Sequence, residues 1–366
     1  MKRIISLLLI ALCVLGLWGC TIEDFTTTEA PAVTVGSLDG AGLNAHFIDV
    51  GQGDSILLES KGEYALVDAG EYPQSETVIS YLNKTGVKKL NYVFSTHPHS
   101  DHCGGLGNVI KSFTVDAFVS PEVQSDSAIW EYTLDAVDEK QLTYIVPNSG
   151  DSFPLGEATI TVLSPGKNSL YSNMNDYSLV CKVSYKGTSV LLTGDAEETV
   201  ERELLRSDFD LRSDVLKCGH HGSSSSTCLS FLKEVNPSLA IISCGVDNEY
   251  GHPHKETVKN LDGLNIPCYR TDLSGNIVVS ANGEEISVST DSSKTEIPKA
   301  SQQSGETATV NAGVSEDSYI GNKNSKVFHR TNCSSVESTK EKNKVYFDSR
   351  QEAADSGYRP CNNCNP

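Results

Sequence analysis

The sequence predicts an α/β fold of layered sheets with helices on the outside, followed by a small separate domain at the C-terminal end. Between residues 44 and 290, short segments rich in β-branched residues alternate with amphipathic segments of helical period. Residues 291–318 lack aromatic residues and periodicity, which predicts a flexible linker. Because sheets and helices both need a partner for their apolar faces, this order favours sheets that are covered by helices.

The predicted elements follow one another along the body of the chain. Segments that are typical of buried strands are residues 46–50, 55–59, 64–69, 91–96, 158–164, 178–185, 188–195, 214–219, 239–245 and 275–280. Segments of helical character are residues 75–84, 104–112, 196–206, 227–235 and 255–263. The sequences YKGTS and ANGEE, at residues 185–189 and 281–285, are typical of hairpin turns.

Residues 1–20 predict an export signal. Lys2 and Arg3 precede an apolar run that is shorter than the roughly 20 residues of a membrane-spanning helix. The run ends in LWGC, which resembles a lipobox, so we expect lipidation of Cys20 and a membrane-anchored protein at the cell surface. A plain signal peptide and a secreted protein are the alternative. Residues 21–43, rich in Thr, Ala and Gly, are predicted to be a tether.

Charge and cysteine content set further bounds. The formal net charge of −19 keeps the protein soluble but does not attract polyanions, whereas the C-terminal segment is mildly basic. Export permits disulfide bonds, but spacing does not show whether any of the six cysteines of the body form pairs. We slightly favour free, buried thiols for these residues.

The stretch STHPHSDHCGG contains the densest group of metal-ligating side chains in the chain. His97, His99, Asp101 and His102 lie within six positions, directly after the apolar segment YVFST. Imidazole and carboxylate ligands together suit zinc, or manganese where oxygen ligands dominate. One short loop is therefore predicted to hold parts of two metal sites.

Here the sequence resembles the metallo-β-lactamase fold superfamily, in which HxHxDH is followed by a metal-bridging aspartate and a final histidine. The resemblance implies a four-layered αββα sandwich. Asp195 in LLTGDAE matches the bridging residue, and HHGSSSS supplies the final histidine. It also implies that Asp68 in ALVDAG supports the site in its second shell.

The resemblance gives the following assignment of ligands and catalytic groups. One metal is held by His97 and His99, the other by Asp101, His102 and His220, and Asp195 bridges the two. Asp101 is also expected to take part in catalysis, and His221 to bind or protonate a phosphate oxygen, although His220 and His221 could exchange roles. For His254 in YGHPH we expect a phosphate contact or a role as general acid.

One element of the superfamily pattern is missing. No histidine lies between His102 and His220, where a further ligand of the first metal is usual. Asn175 and Asp176 fall in the right interval, so one of them, or water, is expected to fill that position or support it. The motif DVGQGDS is expected mainly to turn the backbone.

A narrower resemblance connects the body to the hydrolase domain of the DNA-internalisation protein ComEC and its soluble relatives. It is carried by HFIDVGQGDSILLE, STHPHSDHCGGL, NDYSLVCKV, LLTGDAE, LKCGHHGSSSS, YGHPH and YRTDLSGNIVVS, in that order. It implies phosphodiester hydrolysis, for which two bridged metal ions are well suited.

The C-terminal segment, residues 319–366, contains four soft ligands in two close pairs. His329 and Cys333 form one pair, and Cys361 and Cys364 the other, which predicts a closed tetrahedral zinc site. One disulfide with a spare thiol is the alternative. The segment resembles the metal-binding domain of the Ada DNA-repair protein, but His329 stands where Ada has its methyl-accepting cysteine. We therefore expect a structural zinc ion, and contacts to nucleic acid or cell wall through Arg330, Arg350 and Arg359.

Three functions are compatible with these observations. The first is an exported, lipid-anchored phosphodiesterase that cleaves DNA or another nucleic acid. The second is a phosphodiesterase for a small or cell-envelope substrate such as phosphorylcholine or teichoic acid. The third is a non-catalytic lipoprotein that binds DNA at the surface. The sequence gives no sign of a protein partner.

Overall fold

The computed structural model of the chain describes residues 33–166, 169–292, 319–330, 333, 336, 339–347, 353, 358–361 and 364. The predicted export signal with Cys20, the first part of the predicted tether and residues 293–318 of the predicted linker lie outside the described residues. Among the described residues, no helix combines the length and the apolar character that a membrane span requires.

The body contains two sheets. The first sheet is mixed and has nine strands. Its strands are β1 (Val33–Val35), β2 (Leu43–Phe47), β3 (Ile56–Ser60), β4 (Glu63–Val67), β5 (Lys89–Phe94), β6 (Thr114–Val119), β7 (Thr143–Ile145), β15 (Ile277–Ala281) and β16 (Ile286–Thr290). Their spatial order is β1-β16-β15-β2-β3-β4-β5-β6-β7. Strands β15, β2, β3 and β4 pair antiparallel, and β4 to β7 pair parallel.

A seven-stranded mixed sheet forms the second half. It contains β8 (Ser152–Leu155), β9 (Ala158–Ser164), β10 (Val180–Tyr185), β11 (Thr188–Leu192), β12 (Val215–Lys217), β13 (Leu239–Ile242) and β14 (Cys268–Arg270). The spatial order is β14-β13-β12-β11-β10-β9-β8. Strands β8 to β11 pair antiparallel, whereas β11 to β14 pair parallel.

Helices cover the outer face of each sheet. They are α1 (Ser75–Thr85), α2 (Ser100–Cys103), α3 (Leu106–Ser112), α4 (Ala128–Glu139), α5 (Glu198–Leu204), α6 (Leu229–Val235), α7 (Lys255–Gly263) and α8 (Thr271–Ser274). Apolar residues of α1, α3 and α4 pack against the first sheet, and those of α5, α6 and α7 against the second. The predicted four-layered αββα sandwich is therefore confirmed.

The burial of both faces of each sheet explains why its strands read as continuous apolar runs. Leu58 and Val67 point into the layer between the sheets, where they meet Ile160 and Leu192 of the second sheet. Their chain neighbours point outward, beneath the helices. Alternate residues of one strand thus enter different cores, as expected for strands covered on both sides.

The sequence predicted the ten central strands of the body, but it missed several elements at the edges. Strands β1, β6, β7, β8, β14 and β16 and helices α2, α4 and α8 were not predicted, and the first predicted strand ends at Phe47 rather than at residue 50. Strand β7 has only three residues, none of them fully buried, and therefore carries no clear apolar pattern. The predicted hairpins at YKGTS and ANGEE join β10 to β11 and β15 to β16.

The C-terminal segment contains a small sheet of its own. Its strands are β17 (Tyr319–Asn322), β18 (Val327–Arg330), β19 (Lys344–Phe347) and β20 (Arg359–Pro360), in the order β19-β17-β18-β20. Phe328 and Phe347 form a small apolar cluster with Tyr358, which lies directly before β20.

The two sheets of the body present their parallel strands to a common edge. Loops that follow β4 and β5 of the first sheet and β11, β12 and β13 of the second leave these strands at their carboxyl ends. Ligands bind at such edges in open α/β sheets. The predicted metal ligands lie in these loops.

Candidate active site

The HxHxDH motif forms the loop from β5 to α2. His97 and His102 are fully buried, while His99 and Asp101 are partly accessible. The Nε2 atom of His97 lies 3.0 Å from the Nδ1 atom of His99. His102 lies three residues further on, in α2, a position compatible with the predicted division of the motif between two metal sites.

Asp195, in the loop after β11, stands between these pairs. Its Oδ1 atom lies 3.2 Å from His102 Nε2. Its Oδ2 atom lies 3.9 Å from His97 Nε2. Each carboxylate oxygen thus faces a different half of the motif, which is the geometry of a bridging ligand.

The two adjacent histidines after β12 complete the two halves. His221 Nε2 lies 3.2 Å from Asp101 Oδ2 and 3.4 Å from Asp195 Oδ1, whereas His220 Nε2 lies 3.7 Å from Asp195 Oδ2. His221, and not His220, therefore joins Asp101 and His102. The sequence placed His220 in that half and gave His221 a phosphate contact, but left open that the two exchange roles; these distances favour the exchange.

His220 instead stands beside Asp195 Oδ2, on the side of His97 and His99. His220 thus takes the place of the histidine that is usual between the HxHxDH motif and the bridging aspartate but is absent from this sequence. The reason is conformational: His220 and His221 both have positive φ, 47° and 54°, so that two neighbouring side chains reach two different halves of the site. A pattern of residue types does not reveal this backbone geometry.

The far side of three of these rings faces an oxygen acceptor. Nδ1 of His102 donates to Asp68 at 2.8 Å, in agreement with the predicted supporting role of Asp68. Nδ1 of His220 lies 3.2 Å from Glu197, and Nδ1 of His221 lies 3.0 Å from the carbonyl oxygen of Ser243. A proton held at Nδ1 leaves Nε2 as the free lone pair, the tautomer that binds a metal ion.

Asn175 and Asp176 take different places. The Asn175 amide group donates to Glu197 at 3.1 Å and lies 3.4 Å from His220 Nδ1, so it supports the ring rather than replacing it. Asp176 accepts the backbone N–H of Glu197 at the start of α5. Asp176 is not part of the cavity wall, so its contribution is to the loop that carries Glu197.

Burial and charge act differently on the individual ligands: Asp195 and other nearby carboxylates raise the pKa of His102 and of His221 against the effect of burial. Burial by itself would raise the pKa of Asp195, but His102, His221 and His220 hold the pKa of this carboxyl well below its usual range. Burial lowers the pKa of His97 and of His99, so these rings are neutral. Deprotonated carboxylates and neutral imidazoles are the forms that bind metal ions.

The donor set fits two divalent cations. Nitrogen and oxygen ligands at about 2.1 Å from a tetrahedral ion lie roughly 3.4 Å from one another, close to the separations around Asp195. Asp195 Oδ1 is buried and forms no hydrogen bond, although two ring nitrogens face it. A cation satisfies such an oxygen. A dinuclear metal centre would be held here by the imidazoles of His97, His99, His102, His220 and His221 and by the carboxylates of Asp101 and Asp195.

A buried ion pair that the sequence did not reveal lies behind this centre. Lys217, the last residue of β12, is fully buried and its Nζ atom lies 2.6 Å from Asp54 Oδ2. Asp54 Oδ1 lies 3.6 Å from His221 Nδ1. Asp54 belongs to the motif DVGQGDS, whose role therefore extends beyond turning the backbone. A charged residue within the apolar strand DVLKCG was the available signal.

The motif DVGQGDS also packs closely against the segment that carries Asp101. Gly53 has a φ of +130°, and a Cβ atom at this position would collide with the carbonyl oxygen of Asp101. The backbone N–H of Asp54 donates to that same oxygen at 3.1 Å. Only glycine fits here, because both the backbone conformation and the space exclude a side chain.

A cavity of about 280 Å³ opens above the metal ligands. Its wall consists of Gln52, His99, Ser100, Asp101, Asn175, Asp195, His220, His221, Tyr250 and His252. Burial lowers the pKa of His252 to about 2, so its imidazole is neutral. Tyr250 and His252 lie in the loop that precedes α7.

His254 does not form part of the cavity wall, contrary to the sequence-based prediction. Its Nδ1 atom accepts the backbone N–H of Ser224 at 2.9 Å, and its Nε2 atom lies 3.2 Å from the carbonyl oxygen of Tyr250. Both ring nitrogens are thus engaged by the backbone. The neighbouring histidine of the same YGHPH motif, His252, occupies the position next to the metal ligands.

The predicted zinc ligands of the C-terminal segment come together. The ligand atoms of His329, Cys333, Cys361 and Cys364 all lie within 4.8 Å of one another, and Cys333 Sγ lies 3.4 Å from His329 Nδ1. One histidine and three cysteines form a structural zinc site. The six body cysteines are free, in agreement with the favoured expectation.

Comparisons with known proteins agree with both sites. The family model of the metallo-beta-lactamase superfamily matches residues 48–246. The model of the metal-binding domain of Ada matches residues 307–366. The two matches correspond to the body with the dinuclear centre and to the segment with the Cys₃His cluster.

Several curated relatives are competence or recombination proteins. "ComE operon protein 3" of Bacillus subtilis is 32% identical over 248 residues, which cover 63% of this chain and 32% of that protein. "Competence protein ComA" of Neisseria gonorrhoeae is 30% identical over 233 residues, 62% of this chain and 30% of the relative. "Recombination protein 2" of Haemophilus influenzae is 29% identical, with 63% and 28% covered. The chain thus spans about a third of the length of these relatives.

Proposed function

The chain belongs to the metallo-beta-lactamase superfamily and is a metal-dependent hydrolase, and we propose that it cleaves phosphodiester bonds in nucleic acid, with DNA as its substrate. The observation that carries this proposal is the position of Asp195, whose two oxygens each face one half of the ligand set. Two metal ions held by these residues would supply an activated water and would stabilise the charge that develops at phosphorus. Similarity to competence proteins supports the choice of DNA.

The residues of the chain prepare the site for this reaction in two ways. Asp68, Glu197 and the carbonyl group of Ser243 hold the Nδ1 protons of three ligand rings, so the rings keep both tautomer and orientation. Asp195 and His221, both buried, also line the cavity, so metal ions that they would hold face the space proposed to receive the phosphate group.

His252 is the group best placed to contact the substrate directly. Its neutral ring lines the cavity beside His220, with a centroid distance of 5.3 Å. A neutral imidazole donates a hydrogen bond to a phosphate oxygen without holding the product by charge. In our proposal, His252 takes the role that the sequence assigned to His254.

A small or cell-envelope phosphodiester is the second candidate substrate. The size of the cavity favours it, since about 280 Å³ is at the lower end of the range for ligand pockets and holds little more than a phosphate and its immediate substituents. For a polymer, only the scissile phosphate would enter, and the flanking residues would lie on the rim. The ligand set of the centre argues against a purely DNA-binding lipoprotein.

A substrate panel separates these candidates. The purified protein, loaded with Zn²⁺ or Mn²⁺, should hydrolyse single-stranded oligonucleotides faster than p-nitrophenylphosphorylcholine, with bis-p-nitrophenyl phosphate as a general phosphodiester. Asp195→Asn should abolish the reaction, and Asp210→Asn, at an exposed site, should not. Hydrolysis of the choline ester alone would select the second candidate. No hydrolysis of any phosphodiester would overturn both.

Export and lipid anchoring are further parts of the proposal. They rest on the apolar N-terminal segment and on the LWGC sequence. The expected result is that the full chain is found in the membrane fraction and that Cys20→Ser releases it into the medium. Retention of the Cys20→Ser protein in the cytoplasm would contradict export.

A further inference from the structure

Tyr250 is an exposed aromatic residue at the mouth of the catalytic cavity. Its side chain has a relative exposure of 65%, and it lines the same cavity as Asp195 and His221. Large aromatic side chains bury most of their surface when they serve the fold alone. An open tyrosine beside a catalytic centre is therefore available to a ligand.

The Tyr250 ring is oriented by its contact with His252. Tyr250 lies nearly parallel to His252, with an interplanar angle of 20° and centroids 5.7 Å apart. His252 is only 8% exposed and packs edge-on against the metal ligand His220. Its Nδ1 atom is buried without a hydrogen-bond partner. A short row of rings thus leads from the mouth of the cavity to the metal centre.

Hydrogen bonds to backbone groups hold the loop that carries Tyr250, and the tyrosine ring takes no part in them. The Asn248 side chain donates to the carbonyl oxygens of Gly245 and His252 and accepts the N–H of His252. The carbonyl oxygen of Tyr250 faces His254 Nε2, and the N–H of His254 donates to Gly222. The ring can consequently be removed without loss of these anchors.

We propose that Tyr250 is a stacking platform for an unpaired nucleobase next to the scissile phosphate, and that the enzyme prefers single-stranded to duplex nucleic acid. The proposal rests on the proposed phosphodiesterase function and adds the substrate class. A base stacks on one exposed aromatic face only when it is free of its own neighbours, which requires a single strand or an open end.

The charge of the protein points in the same direction. With a net charge of −19, the chain does not attract the dense phosphate backbone of a duplex. Base stacking is an affinity that does not depend on neutralising phosphates. A single strand can be held by one base stacked on Tyr250 and one phosphate group bound at the metal centre.

The test compares oligonucleotides with and without a base at each position. Tyr250→Ala should raise KM for a single-stranded oligonucleotide by about tenfold or more, the usual effect of losing one base–aromatic stack, with little change in kcat. For an abasic oligonucleotide of the same length, the substitution should leave KM unchanged. Tyr250→Phe should restore the KM for the base-containing strand, because the ring carries the effect.

Val246→Ala serves as the matched control, since Val246 is 70% exposed in the same loop but does not line the cavity. This variant should change neither KM. Bound metal and unfolding transition are measured for all variants, so that a folding defect is recognised. The wild-type enzyme should cleave a single strand at least about tenfold more efficiently than the matching duplex, and Tyr250→Ala should narrow that ratio.

Two outcomes would overturn the inference, and they differ from failure of the proposed function. An equal rise in KM for normal and abasic strands, or no rise for either, would exclude stacking while nucleic-acid hydrolysis stands. If the wild-type protein hydrolyses only small phosphodiesters, the proposed substrate itself is wrong and the inference falls with it.

Discussion

The Nζ atom of Lys217 lies 2.6 Å from the Oδ2 atom of Asp54, and both side chains are buried directly behind the metal ligands. Lys217 also donates to the carbonyl oxygen of Gly194 at 3.3 Å. Asp54 lowers the cost of burying the ammonium group, and the ammonium group holds the pKa of Asp54 down to about 2 against the effect of burial. The pair therefore joins the motif GQGD of the first sheet to strand β12 of the second.

Loss of the lysine should be costly. Lys217→Met leaves the Asp54 charge buried without its partner, so the free energy of unfolding should fall by about 3–5 kcal/mol in urea denaturation. Lys89→Met removes the cation of an exposed pair with Asp116 and should change stability little. The double variant Lys217→Met with Asp54→Asn should be more stable than Lys217→Met alone. If Lys217→Met and the double variant were equally stable, the Asp54 carboxylate would not be an unpaired buried charge in Lys217→Met.

Glu197 should control metal binding through His220. Glu197→Gln removes the carboxylate that holds the Nδ1 proton of His220, so affinity for one of the two ions should fall by about 10- to 100-fold. Titration with a competing chelator should show one weakened and one unchanged site. Glu198→Gln, at the adjacent exposed position, is the matched control. Two equally weakened sites would contradict the assignment of His220 to one half of the centre.

The zinc site of the C-terminal segment should be independent of hydrolysis. Cys361→Ser removes one thiolate from the Cys₃His cluster, so the chain should lose one zinc ion, as determined by metal analysis. The ions of the dinuclear centre and the rate of phosphodiester hydrolysis should remain. Cys228→Ser, at a free cysteine of the body, should leave the metal content as it is. Loss of hydrolysis in Cys361→Ser would mean that the two metal sites depend on each other.

His46 should make stability depend on pH, away from the metal centre. Burial lowers its pKa to about 4, its Nδ1 atom contacts the Tyr81 hydroxyl at 2.9 Å, and Nε2 has no partner. Between pH 6.5 and about 4 the unfolded chain binds a proton that the folded chain does not. The free energy of unfolding therefore falls as the pH falls through this window, by about 3 kcal/mol from this residue.

The measurement compares His46→Gln with the wild-type protein in urea denaturation at pH 7.5 and pH 5. Because glutamine does not titrate, the variant should lose less stability between the two pH values. All other titrating groups are common to both proteins and cancel in the comparison. Parallel loss of stability in the two proteins would show that His46 is protonated as easily in the folded chain as in the unfolded one.

Much of the fold follows from local patterns in the sequence. Strands such as β4 and β11 are apolar on both faces and end in the conspicuous sequences VDAG and TGDAE, so type and position are both readable. Strand β7 has only intermediate and exposed residues and depends on its neighbour β6 for its existence. Such edge elements are determined by tertiary pairing, which a local pattern does not contain.

The site was predictable as a set of residues but not as an arrangement. The types and order of the ligands identified His97, Asp195 and the histidine pair. The left-handed backbone that separates His220 from His221, and the loop geometry that turns His254 away from the cavity, are properties of φ and of distant hydrogen bonds. Lys217 was missed for a similar reason, since its partner lies 163 positions earlier in the chain.

Both halves of the metal centre receive one ligand from the same two-residue turn. Since His220 and His221 are adjacent residues that both have a left-handed backbone, that turn sets how far apart their two imidazole rings are held. Evolutionary change in this turn therefore acts on the centre as a whole.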